Sequence, residues 1–331
     1  MFKSANGFRL LVLYLIFVFA LTGCSGNNDK NGENPKDNNS LAQEEKLKER
    51  RALLVKDQEF VVVYFTSIDR KNLVPVTLSI LPTEKAARVA MEKLLAGPEN
   101  EFSLPTIPEG TKLKDMYLVG STAYIDLTED LLTVPQENAN MTVDSIVFTI
   151  TEFPAAEDVQ ILVNGEIQED LAGVIINKPL KRPKTINYYG TQPAEQNLIQ
   201  VYFSDENGIY LVPVTLKAGT TDLPLASLRK LLEGPPQNSG LWPTLWKNTK
   251  IHSFRIEDGL ATIDFNAQAL GYGGGSTAEL MFVNSILFTL GQFPEIEQVK
   301  FLFDGKEIEY LPEGTDVTSP LPIPNKINSL L

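Results

Sequence analysis

Leu73-Val74-Pro75-Val76-Thr77-Leu78 returns unchanged as Leu211-Val212-Pro213-Val214-Thr215-Leu216, 138 residues later. Upstream, Val63-Tyr64-Phe65 returns as Val201-Tyr202-Phe203 at the same offset. Downstream, Leu94-Leu95-Ala96-Gly97-Pro98 answers to Leu231-Leu232-Glu233-Gly234-Pro235, and Ala123-Tyr124-Ile125-Asp126-Leu127 to Ala261-Thr262-Ile263-Asp264-Phe265. Ser145-Ile146-Val147-Phe148-Thr149 and Phe153-Pro154 return as Ser285-Ile286-Leu287-Phe288-Thr289 and Phe293-Pro294. Stations kept in one order mark a duplicated unit. The period is far too long for a solenoid, so the chain holds two like domains.

Each copy has the same local signals. Residues 60–66 and 199–204 are β-branched and aromatic runs and predict strands. The Val-Pro-Val segments predict strands too, and because proline cannot donate to a ladder, Pro75 and Pro213 belong at an edge or bulge. Thr83 opens a helix whose apolar positions Ala87, Met91, Leu94 and Leu95 form one stripe, and Gly97-Pro98 stops it. A hairpin follows at residues 112–127, matched by 250–265. A second helix runs over 137–153 and 276–293, the latter opened by a Ser276-x-x-Glu279 capping box. The last strand ends in Asn164-Gly165 or Asp304-Gly305, dipeptides suited to a two-residue turn. The fold class is α/β of the α+β type: two tandem βαββαβ-like modules, each a small sheet with two helices on one face.

The modules occupy residues 55–177 and 197–311, joined by a polar, proline-containing linker at 178–196. Residues 312–331 form a proline-rich carboxyl tail that packs as extended chain or frays. Residues 24–54 precede the modules as a tether: 25–40 are polar, with no apolar residue to bury, and 41–54 are charged enough for a weak helix. The tether reaches about 30 Å.

Residues 1–23 read as a signal peptide. Lys3 and Arg9 give a positive n-region, and the apolar run of residues 10–20 is too short to span a bilayer comfortably. It ends in Leu21-Thr22-Gly23-Cys24, a lipobox in which the Cys24 thiol receives diacylglycerol. Cys24 is the one cysteine in the chain, so lipidation accounts for an otherwise unpaired thiol in an exported protein. Cleavage removes Lys3 and Arg9 and no acid, taking the net charge from −13 to −15. Such a charge repels nucleic acid and anionic headgroups, leaving the lipid and its acyl chains as the membrane partner.

Few residues invite chemistry. His252 is the one histidine, which excludes by count a two-histidine zinc site; no metal ligand set or cofactor motif is expected. His252 shares the register of Lys114 and faces solvent. Asp126 and Asp264 follow the same apolar pair in each copy. As a catalytic pair they would need to lie about 5–10 Å apart across a substrate; as structural acids at a strand end they accept backbone N–H groups in the turn that follows. Gly271 to Ser276 precedes a helix but lacks the lysine of a phosphate loop, and reads as a connection. Trp242 and Trp246, in the loop of residues 241–247 matching 102–108, either grip a partner or plug the end of the core.

The Leu-Val-Pro-Val-Thr-Leu segment, the Leu-Leu-x-Gly-Pro helix stop, the Ala-x-Ile-Asp strand and the Ser-Ile-x-Phe-Thr…Phe-Pro helix resemble the GerMN domain family of sporulation and spore germination proteins. The resemblance covers nearly all of the chain after Cys24. It implies a lipid-anchored protein on the outer face of the membrane of an endospore-forming bacterium, between mother cell and forespore, needed in sporulation and germination. Its partners would be other envelope or sporulation proteins. The fold also looks similar to ring-building motifs of envelope-spanning assemblies, a likeness of fold alone.

Three functions remain open from the residues: a non-catalytic assembly protein offering Trp242, Trp246 and the Pro213 edge; a peptidoglycan-binding module stacking glycan on the two tryptophans; and a hydrolase using Asp126, Asp264 or Glu129. Duplication without duplicated chemistry favours the first.

Overall fold

The computed structural model describes residues 50–56, 58–191, 196–271 and 274–329. The signal peptide, Cys24 and the tether through residue 49 lie outside the described residues. No helix among the described residues is long and apolar enough to cross a membrane.

In the first module β1 (Gln58–Thr66) and β2 (Leu73–Thr83) form an antiparallel hairpin. After α1 (Ala86–Ala96), β3 (Leu113–Val119) pairs antiparallel with β4 (Thr122–Leu127). The chain then crosses through α2 (Gln136–Ile150) to β5 (Asp158–Val163), which lies parallel to β4. Two short strands, β6 (Asp170–Leu171) and β7 (Val174–Ile175), precede β8 (Leu180–Lys181), which closes a four-stranded sheet in the order β3-β4-β5-β8. The second module repeats the plan. β9 (Leu198–Ser204) and β10 (Leu211–Lys217) form its hairpin, followed by α3 (Leu223–Glu233) and then β11 (Ile251–Glu257) and β12 (Leu260–Phe265). α4 (Gly275–Leu290) leads to β13 (Gln298–Phe303) and β14 (Leu321–Pro322), giving the sheet β11-β12-β13-β14.

The mixed α/β class and the duplication hold. The strands of each module, however, divide between a hairpin and a separate four-stranded sheet. Both helices reach the hairpin as well as the sheet: α1 touches β1 and β3, and α2 touches β1 and β5. That position explains why α4 carries buried Phe282, Val283, Ile286, Leu287 and Leu290. A helix covered on more than one side needs more than one apolar stripe. Thr83 ends β2, and α1 begins only at Ala86. Its stripe is Ala87, Ala90, Met91 and Leu94, fully buried, with Leu95 only partly so. The two hairpin turns form as their dipeptides require, with φ of 53° and 85° at Asn164-Gly165 and 49° and 75° at Asp304-Gly305.

Three other expectations are corrected. Leu53, at the end of the supposed tether, is buried in the first core, and Arg51 bridges backbone to backbone with Leu118. Ser276 and Glu279 make no capping box: Gly274 is the N-cap, and no side chain caps the helix. Glu279 is instead 1 % exposed and accepts from the Thr315 amide at 3.1 Å, the Thr315 hydroxyl at 2.8 Å and the Glu313 amide. A buried carboxylate needs such donors more than a helix end needs a cap.

The linker, in its described residues, is not a loose connection, and the tail packs as extended chain rather than fraying. β8 pairs with β5 through Val159 and Leu180, and β14 pairs with β13 through Val299 and Leu321. Beyond these strands, each segment reaches the opposite hairpin. Ile186 exchanges two bonds with Thr215 of β10: its carbonyl accepts the Thr215 amide and its amide donates to Oγ1. Ile327 does the same with Thr77 of β2. Asn187 accepts from the Leu73 amide and donates to the carbonyls of Leu73 and Pro213; Asn328 accepts from the Leu211 amide and donates to the carbonyls of Leu211 and Pro75. The two modules are thus joined by crossed tails about a pseudo-twofold axis.

One acid in this fold is out of place electrostatically. Burial pushes Asp144, on α2, up to about 6 from the usual 3.8; the matching position on α4 is Asn284. Between about pH 4 and 6 the folded state holds a proton that the unfolded chain has lost, so this contribution to stability falls as pH rises through that window and stays low above it. Asp144→Asn is expected to raise stability at pH 7.5 by about 3 kcal/mol and to flatten that slope. Urea titrations at pH 4.5 and 7.5 measure both; a variant no more stable than the parent at pH 7.5 contradicts the assignment.

Candidate functional site

The described residues hold no cluster of three or more His, Cys, Asp or Glu side chains able to bind a metal ion. The acids singled out in the sequence are committed elsewhere. Asp126 Oδ1 accepts the Gly165 amide at 2.7 Å and Asp264 Oδ1 the Gly305 amide at 2.8 Å. Each pins the turn of the neighbouring parallel strand in its own module; the structure does not bring the two together in a cleft. Glu129 Oε2 accepts from the side-chain Nδ2 of Asn164 at 3.5 Å. His252 faces solvent and pairs with Asp304 at 2.9 Å, while Lys114, its counterpart, reaches Asn164 at 3.1 Å.

The tryptophans are brought together. Trp242 forms a two-bond bridge to Ser204 at the end of β9, as Leu104 does to Thr66 at the end of β1. Two residues on, Thr244 donates to Ser285 of α4 at 2.7 Å, which ties the loop to the helix. Held at both points, Trp242 still leaves 61 % of its surface in solvent, whereas Leu104 is half-buried. Trp246 turns inward, its ring 5.2 Å from that of Phe282 in an aromatic cluster that runs on to Phe265 and Phe301. Gly271, at φ 63°, approaches so closely that a Cβ there would stand 2.2 Å from the indole. The loop therefore does both things expected of it, one tryptophan plugging the core and the other presented.

Between them lies a groove of about 390 Å³. It is lined by both tryptophans, by Ala278 and Met281 of α4, and by the Asp205–Gly208 turn. Asp205 is spent on that turn, its Oδ1 accepting the amides of Ile209 and Tyr210 at 2.7 and 2.8 Å. Glu206 and Asn207 are exposed above it. The chemistry offered is a flat aromatic face, apolar side chains and solvent-facing acceptors, a surface for binding.

Pro213 occupies an edge, as proline must, but the edge is not open. It is buried, and its carbonyl accepts Asn187 Nδ2 at 2.8 Å. The residues beside it were missed in the sequence. On the pseudo-twofold axis a cavity of about 260 Å³ is lined by Tyr64, Tyr202, Phe148, Phe288, Pro75 and Pro213, with Glu152 and Arg182 at its wall. Arg182 donates to Glu152 at 2.6 Å and to the Tyr64 hydroxyl at 3.0 Å, and lies 4.7 Å from the Phe148 ring centre. Burial, with Glu152 second, raises Tyr64 far above the usual phenol range and Tyr202 to about 12. Both phenols are therefore neutral at physiological pH and act as hydrogen-bonding and packing groups.

Two like modules, each closing a parallel strand turn with an acid and locked together by crossed tails, define a tandem-domain chain whose presented chemistry is a tryptophan groove. The chain belongs to the Germane family of sporulation and spore germination proteins, whose model matches residues 62–169 and again 200–309. It is 27 % identical over 280 residues to the spore germination protein GerM of Bacillus subtilis (strain 168), spanning 79 % of this chain and 76 % of that one. It is also similar to the solved tandem GerMN domains of the sporulation protein GerM from Bacillus subtilis, with a TM-score of 0.65 and 25 % identity over 82 % of this chain and 98 % of that chain.

Proposed function

We propose that this chain is a non-catalytic assembly protein of sporulation and germination, anchored through lipid on Cys24 at the outer face of the cell membrane, and that the Trp242 groove docks a protein partner of the envelope. The observation that carries the reading is Trp242 itself. A large aromatic held by backbone and helix contacts, yet exposed, resembles the rigid anchors that dominate protein interfaces. Asp126 and Asp264, the acids that recur in both modules, are bound to turn amides instead.

Trp242→Ala removes exposed surface and is expected to leave the midpoint of unfolding within about 0.5 kcal/mol of the parent, while reducing sporulation or germination efficiency in cells. A photo-crosslinking residue at position 242 should capture a discrete protein during sporulation. Full complementation by a stable Trp242→Ala chain would end this reading. A second reading, glycan stacking, is favoured by the convergence of both tryptophans on one groove. Saturable quenching of tryptophan emission by purified peptidoglycan fragments would select it, because the chain has no tryptophan outside the groove.

A further inference from the structure

The duplication extends further than the modules first read from the sequence. Leu180, Pro183, Ile186 and Asn187 recur as Leu321, Pro324, Ile327 and Asn328, at an offset of 141. The coincident residues are those that cross the joint. Ile186 and Ile327 each exchange the same two bonds with a threonine of the opposite hairpin. Asn187 and Asn328 each grip their own module's leucine and the opposite module's proline carbonyl. An interface in which like residues make like contacts from both sides is isologous, the form taken by twofold dimers. Here it is made within one chain.

Each hairpin edge thus receives the opposite module's Ile-Asn segment through one proline carbonyl, one threonine amide and the threonine hydroxyl, none of which depends on the segment's covalent connection. We propose that the Pro75–Thr77 edge is a docking site for a Pro-x-x-Ile-Asn segment, and that a second copy of this chain fills it with its own residues 324–328 when the resident segment leaves. The joint also selects which edge is used. Glu152 and Arg182 of the first module meet Gln292 and Ile323 at the matching positions of the second. A pairing of two first modules would set two such ion pairs against one cavity, whereas a first module and a foreign second-module tail reproduce the resident contacts. Asn72 to Ser239 and Tyr210 to Asn100 add bonds that only unlike modules make. Exchange of this kind is heterologous in the chain as a whole, so it can link one copy to the next.

A chain ending at Pro322 tests the site, with a synthetic peptide of residues 323–329 as probe. Saturable binding and a raised unfolding midpoint are expected. A peptide carrying Asn328→Ala should bind about tenfold more weakly or worse, since it loses bonds to two carbonyls and an amide. A peptide of residues 182–188, which carries Arg182 where the resident segment has Ile323, should compete weakly or not at all. If the shortened chain does not fold, full-length Asn328→Ala serves in its place, its weakened tail leaving the edge open to the wild-type peptide. Absence of binding in the folded chain, or equal binding of the alanine peptide, overturns the site. A tagged full-length chain should then capture the shortened chain, and a tagged Ile327→Asp chain should not; peptide binding without such capture overturns the second copy as occupant. The result is independent of the Trp242 groove, which these variants leave intact.

Discussion

Gly271→Ala is expected to destabilise the second module by about 2–4 kcal/mol and to shift tryptophan emission to the red. Two causes act together. Gly271 has φ 63°, in the left-handed region where an L side chain is strained, and the new methyl would stand 2.2 Å from Cε2 and 2.4 Å from Cδ2 of Trp246. The indole cannot yield into the core, since Phe282 stands 5.2 Å away in a packed cluster. It must move outward and take the groove lining with it. With two tryptophans in the chain and Trp242 already exposed, an emission change reports Trp246 almost alone. Urea unfolding followed by fluorescence and circular dichroism measures both effects. A variant with parental stability and spectrum would show that the glycine is not what seats the indole.

Replacing Asn187 and Asn328 together with alanine is expected to split one unfolding transition into two. Each asparagine serves the amide and carbonyl of a leucine in its own module and one proline carbonyl across the joint. Alanine leaves those groups partly buried and unpaired, costing about 1–3 kcal/mol at each position. The cores themselves are nearly separate. The second draws its buried residues wholly from its own module, and the first borrows Tyr210 and Val212 from its neighbour. Loss of the clasp should therefore uncouple the modules rather than unfold them, with the first melting earlier. Calorimetry decides: a single unshifted transition in the double variant would mean that the apolar joint alone carries the coupling.

Much of this architecture was legible in the sequence, and the failures share a cause. Leu-Val-Pro-Val-Thr-Leu, Ala-x-Ile-Asp and the glycine-stopped helices carry apolar periodicity, which depends on nearest neighbours along the chain and so reads correctly. Residues 178–196 and 312–331 read as linker and tail because prolines and lysines mask a repeat of only Leu, Pro, Ile and Asn. Their bonds are made to strands far away in sequence, a partner that local pattern does not name. Glu279 failed similarly: its spacing from Ser276 fitted a cap, but burial beside residues 313–315 gave it stronger donors. Asp126 and Asp264 were legible as structural acids, though the turns that they hold lie 39 and 41 residues on. The tryptophan loop was located but not resolved, because nothing in its composition distinguishes the presented ring from the seated one.

The crossed tails also set an order of events. Ile327 meets Thr77 across 250 residues of chain, and Asn328 reaches Pro75 across 253. Domains emerging from a ribosome or translocon fold in sequence, at about 5–20 residues per second. The first module can therefore bury its own core many seconds before its β2 edge finds a cover, and throughout that interval an unpaired strand faces the crowd. Whatever delays the final stretch, whether slow threading, a truncated message or proteolytic trimming, leaves that margin bare, with consequences felt at the opposite end of the polypeptide.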